Sequence, residues 1–108
     1  MSYDVSIGGE EFNHTYNTRD LFVEILPGDT EREAGINGLY DLTGAEAAEY
    51  IEAALERLSE MLISKDEEEI RKEYDAANKW GTLFTATLML SRLMAACARH
   101  PFQKVHVC

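Results

Sequence analysis

The chain has 108 residues, 45% of them apolar, which is enough for one core and too little for two, so residues 1–108 are read as one domain. Acids outnumber bases by 20 to 10 and the formal net charge is -10. That balance works against direct binding of DNA, RNA or anionic lipid, because phosphate contacts need Lys and Arg in place of the condensed counterions.

In chain order, Tyr3, Val5 and Ile7 alternate with polar residues, Gly8-Gly9 interrupts, and Phe12, His14 and Tyr16 alternate again, which predicts a β-hairpin. Asn17 or Thr18 is placed to cap a short helix from Arg19 that buries Leu21, Phe22, Ile25 and Leu26 and stops before Pro27-Gly28. From Gly28 to Leu42 glycines and acids predominate and no period persists, so the stretch is read as loop. Thr43 and Glu46 have capping-box spacing, and Ala47, Ile51, Ala54, Leu55, Leu58 and Leu62 then recur at three- and four-residue steps, predicting a long amphipathic helix.

Ser64 and Glu67 repeat the capping pattern, which predicts a break and a further helix carrying Ile70, Tyr74 and Ala77. The most apolar element runs from Thr82 to Arg99, with Leu83, Phe84, Leu88, Leu90, Met94 and Ala98 on more than one face, and it is expected to lie centrally. It is shorter than a bilayer span and carries Arg92, so it is read as a buried helix. Pro101 ends it, and Lys104 to Val107 alternates as a last strand able to join the hairpin. The expected architecture is α+β: a three-stranded antiparallel sheet covered on one side by three or four helices.

Between Asp41 and Asp75 twelve acids face four bases, which accounts for -8 of the net charge. Glu49, Glu52, Glu56 and Glu60 share one helix face opposite the apolar stripe, with Glu67, Glu68 and Glu69 as an extension. One reading is a solvated face that aids solubility. The other is a carboxylate ridge that imitates a nucleic-acid backbone and docks on a basic groove.

Neither a metal nor another cofactor is expected, because His14, His100, His106, Cys97 and Cys108 lack the short ligand spacings of zinc sites. Cys97 reads as a reduced structural thiol, and the two cysteines form no disulfide framework. No nucleophile elbow or phosphate loop is present, so a non-enzymatic protein is expected. The enzymatic alternative needs surface carboxylates and His14 or His106 to meet across the sheet. Trp80 is either a core residue or an interface anchor, and Tyr50 and Tyr74 either seal the core edge or punctuate the acidic surface.

The opening Tyr3-Asp4-Val5-Ser6-Ile7-Gly8-Gly9-Glu10-Glu11-Phe12-Asn13-His14-Thr15-Tyr16-Asn17, the turn Asn78-Lys79-Trp80-Gly81 and the closing Cys97-Ala98-Arg99-His100-Pro101 resemble small uncharacterised proteins of bacteriophages and prophages. The resemblance spans most of the chain and carries over no functional residue. It implies an accessory protein that binds a host protein, in the manner of anti-CRISPR and other anti-defence inhibitors, some of which are acidic DNA mimics. The expected partner is a basic, nucleic-acid-binding host protein. Met1 to Gly9 lacks the basic start and apolar core of a secretory signal, so the host cytoplasm is the expected compartment. The alternative is a structural or assembly role through self-association, by the hairpin edge or the apolar helix.

Overall fold

The computed structural model describes residues 2–15, 18–28, 32–64, 66, 68, 69, 72 and 83–108. β1 (Ser2–Ile7) and β2 (Glu10–Thr15) form the expected antiparallel hairpin, with Val5 opposite Phe12 and Tyr3 opposite His14. Its two-residue turn needs positive φ at both positions, and Gly8 (56°) and Gly9 (84°) adopt this without a Cβ penalty. Tyr3, Val5, Ile7 and His14 are buried on one face of the sheet, while Asp4, Glu11 and Asn13 are exposed on the other.

α1 (Arg19–Ile25) buries Leu21, Phe22 and Ile25. Asn17 lies outside the described residues, and Thr18 precedes the helix without a side-chain capping bond. The Thr18 hydroxyl lies 2.8 Å from Nε2 of His14 instead. Both residues are buried, and an unpartnered buried imidazole costs more than a missing cap on so short a helix.

The stretch from Gly28 to Leu42, expected as loop, contains a short 3-10 helix (Ile36–Leu39) whose Ile36 and Leu39 are fully buried. With Leu42 they recur every third residue, the period of a 3-10 turn, and three apolar anchors hold the segment to the core.

α2 (Gly44–Ser64) begins at the predicted capping box. The Thr43 N–H donates to Oε1 of Glu46 at 3.1 Å, and the Glu46 N–H donates to the Thr43 hydroxyl oxygen at 3.3 Å. Ala47, Ile51, Ala54 and Leu58 are buried and Leu55 is half-buried, but Leu62 and Ile63 are exposed, so the stripe fades in the last turn. Ser64 ends the helix with its hydroxyl donating back to the Met61 carbonyl. Its pairing with Glu67, the helix expected from Ile70 to Ala77, and Trp80 lie outside the described residues.

α3 (Leu83–Arg99) packs against α2 and β2 and buries Leu83, Ala86, Met89, Leu90, Leu93, Ala96 and Cys97. The expectation of a central helix apolar on several faces needs correction: Leu83 and Leu90 are buried and Met94 is half-buried, but Phe84, Leu88 and Ala98 are exposed. One face suffices to fill the core against α2 and the sheet, so the positions opposite it remain outside. The two helices are antiparallel and close at one end, where a Cβ on Gly44 would collide with the carbonyl oxygens of Cys97 and His100.

After Pro101 the chain turns back. Gly44 and Ala45 donate their N–H groups to the carbonyls of Gln103 and Pro101, which satisfies free donors at the start of α2. Val105 is buried and exchanges backbone bonds with Asp41 and Leu42. β3 (His106–Val107), shorter than expected, then pairs antiparallel with β1, giving the sheet order β2-β1-β3. Its expected first residue, Lys104, makes an isolated bridge to Thr43 instead. The fold is α+β, with one apolar cluster lying between the inner sheet face and the helices.

Candidate functional site

α2 is amphipathic because its acids and its apolar residues follow the same helical period half a turn out of phase. With Ala47, Ile51, Ala54 and Leu58 facing inward, Glu49, Glu52, Glu56 and Glu60 fall on the outer side, and all four are exposed. Among the described residues none of these four side chains has a hydrogen-bond or ion-pair partner. The ridge is therefore a row of solvated like charges at neighbour spacings of about 5–6 Å. Glu68 and Glu69 are exposed beyond the end of α2, where the Asp66 carboxylate accepts the Glu68 N–H at 3.3 Å, and Glu67 lies outside the described residues.

The flank of α2 toward α1 is different in character. The Tyr50 hydroxyl donates to the Pro27 carbonyl at 3.0 Å, and an Arg57 guanidinium N–H donates to the Ile25 carbonyl at 3.0 Å. The Arg32 guanidinium sits 5.1 Å from the centre of the Tyr50 ring. Tyr50 thus fastens the end of α1 to α2 rather than punctuating the acidic surface. Together with Leu42, Glu46, Glu49 and Ala53 these groups line an open groove of about 370 Å³. Glu46 belongs to the cap, and its bonds from the Thr43 N–H and hydroxyl hold its carboxyl below the usual range. The sequence reading missed Arg32 and Arg57; their only signal was that they are basic residues beside an acidic run.

A second polar cluster joins the hairpin to the end of α3. Glu10 accepts from Nε of Arg99 at 3.1 Å and lies 2.9 Å from Nε2 of His100. The Arg99 bond, and then His100, hold the Glu10 carboxyl below its ordinary value against some desolvation. This is a clamp: it fixes the helix terminus over the turn, where Gly8 leaves room for the His100 ring.

Of the two histidines of the enzymatic alternative, His106 lines an open groove with the surface carboxylate of Glu11, and the two histidines do not meet. His14 is buried on the inner face of β2, whereas His106 is exposed on β3, with β1 between them. Burial pushes the Cys97 thiol up to about 11, which suits an inert core cysteine, while Cys108 is exposed. Among the described residues no three His, Cys, Asp or Glu side chains are grouped to hold a metal ion. Likewise, no helix among them is long and apolar enough to cross a membrane. Comparison with known proteins gave no match to a protein family, a curated protein or a solved structure.

Proposed function

We propose that the protein is a non-enzymatic phage accessory protein that binds and inhibits a basic host protein, a nucleic-acid-handling component of host defence such as a CRISPR effector. The α2 ridge acts as the substitute for a phosphate backbone. The observation that carries this reading is the placement of Glu49, Glu52, Glu56 and Glu60: they are exposed, aligned opposite the core and without partners among the described residues. Like charges at this spacing cost a few tenths of a kcal/mol per pair, and a basic partner removes that cost while steering association at low salt. Glu68 and Glu69 continue the negative surface.

The test is a pull-down from host lysate at low and at high salt, with bound proteins identified by mass spectrometry. A basic nucleic-acid-binding protein should be retained at low salt, released at high salt, and lost when the four ridge glutamates are replaced by Lys. Retention by that quadruple variant would remove the mimic reading.

A second reading, a structural or assembly role through self-association, is favoured by one observation: Phe84 and Leu88 of α3 are exposed, 69% and 36%.

A further inference from the structure

The sheet order β2-β1-β3 leaves β2 as an edge strand, and the backbone bonds show which of its groups are open. On β1, Asp4 exchanges both of its backbone bonds with Cys108, on the β3 side. Antiparallel strands alternate these directions residue by residue, so Asp4 and the opposite Asn13 form a non-hydrogen-bonded pair. The N–H and carbonyl of Asn13, and those of Glu11 two residues before it, therefore point away from β1. Among the described residues nothing donates to these groups or accepts from them.

Three side chains flank the open edge. Glu11 and Asn13 are exposed on the outer sheet face, where they and Asp4 line an open groove of about 450 Å³. Phe12 is half-buried on the inner face between them. Asp4 accepts from the Asn13 side-chain amide at 2.7 Å, while the Glu11 carboxylate has no partner among the described residues.

We propose that the β2 edge takes up an extended, Lys- or Arg-bearing segment of a partner protein as an added antiparallel strand. Outward N–H and carbonyl groups on alternate residues are complementary to the backbone of a strand, which exchanges a pair of hydrogen bonds with Glu11 and another with Asn13. Side-chain position then sets the sequence. Residues opposite Glu11 and Asn13 share the outer face with two carboxylates, and β1 and β2 contain no Lys or Arg to neutralise them, so these residues are basic. A long basic side chain opposite Asn13 also reaches Glu11 on the diagonal. The residue between them meets Phe12 and is apolar. A second copy is the poorer occupant, because pairing β2 with β2 brings two Glu11 carboxylates to one sheet face between molecules that each carry -10. The edge is a different surface from the α2 ridge, and strand addition there does not require the ridge to dock.

The test uses the whole chain and a blocked peptide, acetyl-Thr-Lys-Val-Lys-Thr-amide, with amide hydrogen exchange followed residue by residue by NMR. Millimolar peptide should slow exchange at Glu11 and Asn13, whose N–H groups are open, and leave Phe12 and His14 unchanged, since theirs already pair with β1. Replacing both Lys of the peptide by Glu, or methylating their backbone nitrogens, should abolish the slowing. Glu11→Lys should weaken binding of the lysine peptide about ten-fold or more. No slowing at Glu11 and Asn13 overturns the proposal, and so does equal slowing by the acidic peptide. Peptide effects confined to α2 overturn it too, while leaving the ridge reading in place. Slowing of the same two amides by protein concentration alone gives the edge to a second copy and overturns the basic occupant.

Discussion

Gly8 shows how one position can answer to two elements at once. The hairpin turn requires its positive φ, and the clamp at the end of α3 requires the space where a side chain would meet the His100 ring. Gly9, with φ 84° and nothing within 4 Å of a built Cβ, answers only to the turn. In urea denaturation Gly9→Ala should therefore cost about 1 kcal/mol and Gly8→Ala about 2 kcal/mol or more, the difference being the displaced ring and its bond to Glu10. His14 presents a different residue-scale constraint, since burial lowers its pKa below the ordinary 6.5. Between those two values the unfolded chain holds a proton that the folded one does not, so stability falls as pH falls from 6.5 through the folded value. Lower pH also relieves the self-repulsion of a chain at -10, so the comparison must be differential. Relative to wild type, the urea midpoint of His14→Gln should therefore rise as pH falls through that window, and a constant difference would show that His14 does not titrate on unfolding.

At the scale of elements, α2 depends on both ends of its own sequence logic. Thr43→Ala removes the reciprocal bonds with Glu46 and should cost about 1 kcal/mol, read as a lower urea midpoint with helix content retained, because Gln103 and Pro101 still brace the first turn. Ile51→Ala, at a fully buried position, should cost about 2–5 kcal/mol, while Ile63→Ala, 86% exposed, should cost almost nothing. The hairpin, the capping box and the extents of α2 and α3 were legible because local period and cap chemistry agree there with the tertiary packing. Three features were not. The Thr18 hydroxyl was diverted by the buried His14, a demand that appears only once the sheet has a face. The turn at Ile36 was hidden by its glycines, although Ile36, Leu39 and Leu42 kept a three-residue spacing. The outward Phe84 and Leu88 read as core because composition cannot say which side of an apolar helix its neighbours will cover. The ridge itself was legible from helical spacing, whereas the basic flank of Arg32 and Arg57 depends on how the segment after α1 folds back.

Over the whole molecule the charge is divided: α2 and the acids beyond it carry most of the excess, and α3 with the C-terminal segment carries bases alone. The ridge works against helix stability. Its neighbouring pairs, Glu49 with Glu52, Glu52 with Glu56, and Glu56 with Glu60, each cost a few tenths of a kcal/mol, about 1 kcal/mol together. Replacing all four by Gln keeps size, polarity and helix propensity while removing the repulsion. The quadruple Gln variant should therefore keep the wild-type circular dichroism spectrum and gain about 1 kcal/mol at low salt, a gain that shrinks as salt screens the wild-type row. Under the proposed docking on a basic partner, the same substitutions should weaken that binding while the isolated chain becomes harder to unfold. If the variant were neither more stable nor weaker in association, the row would be an ordinary solvated face and the charge division would carry no function.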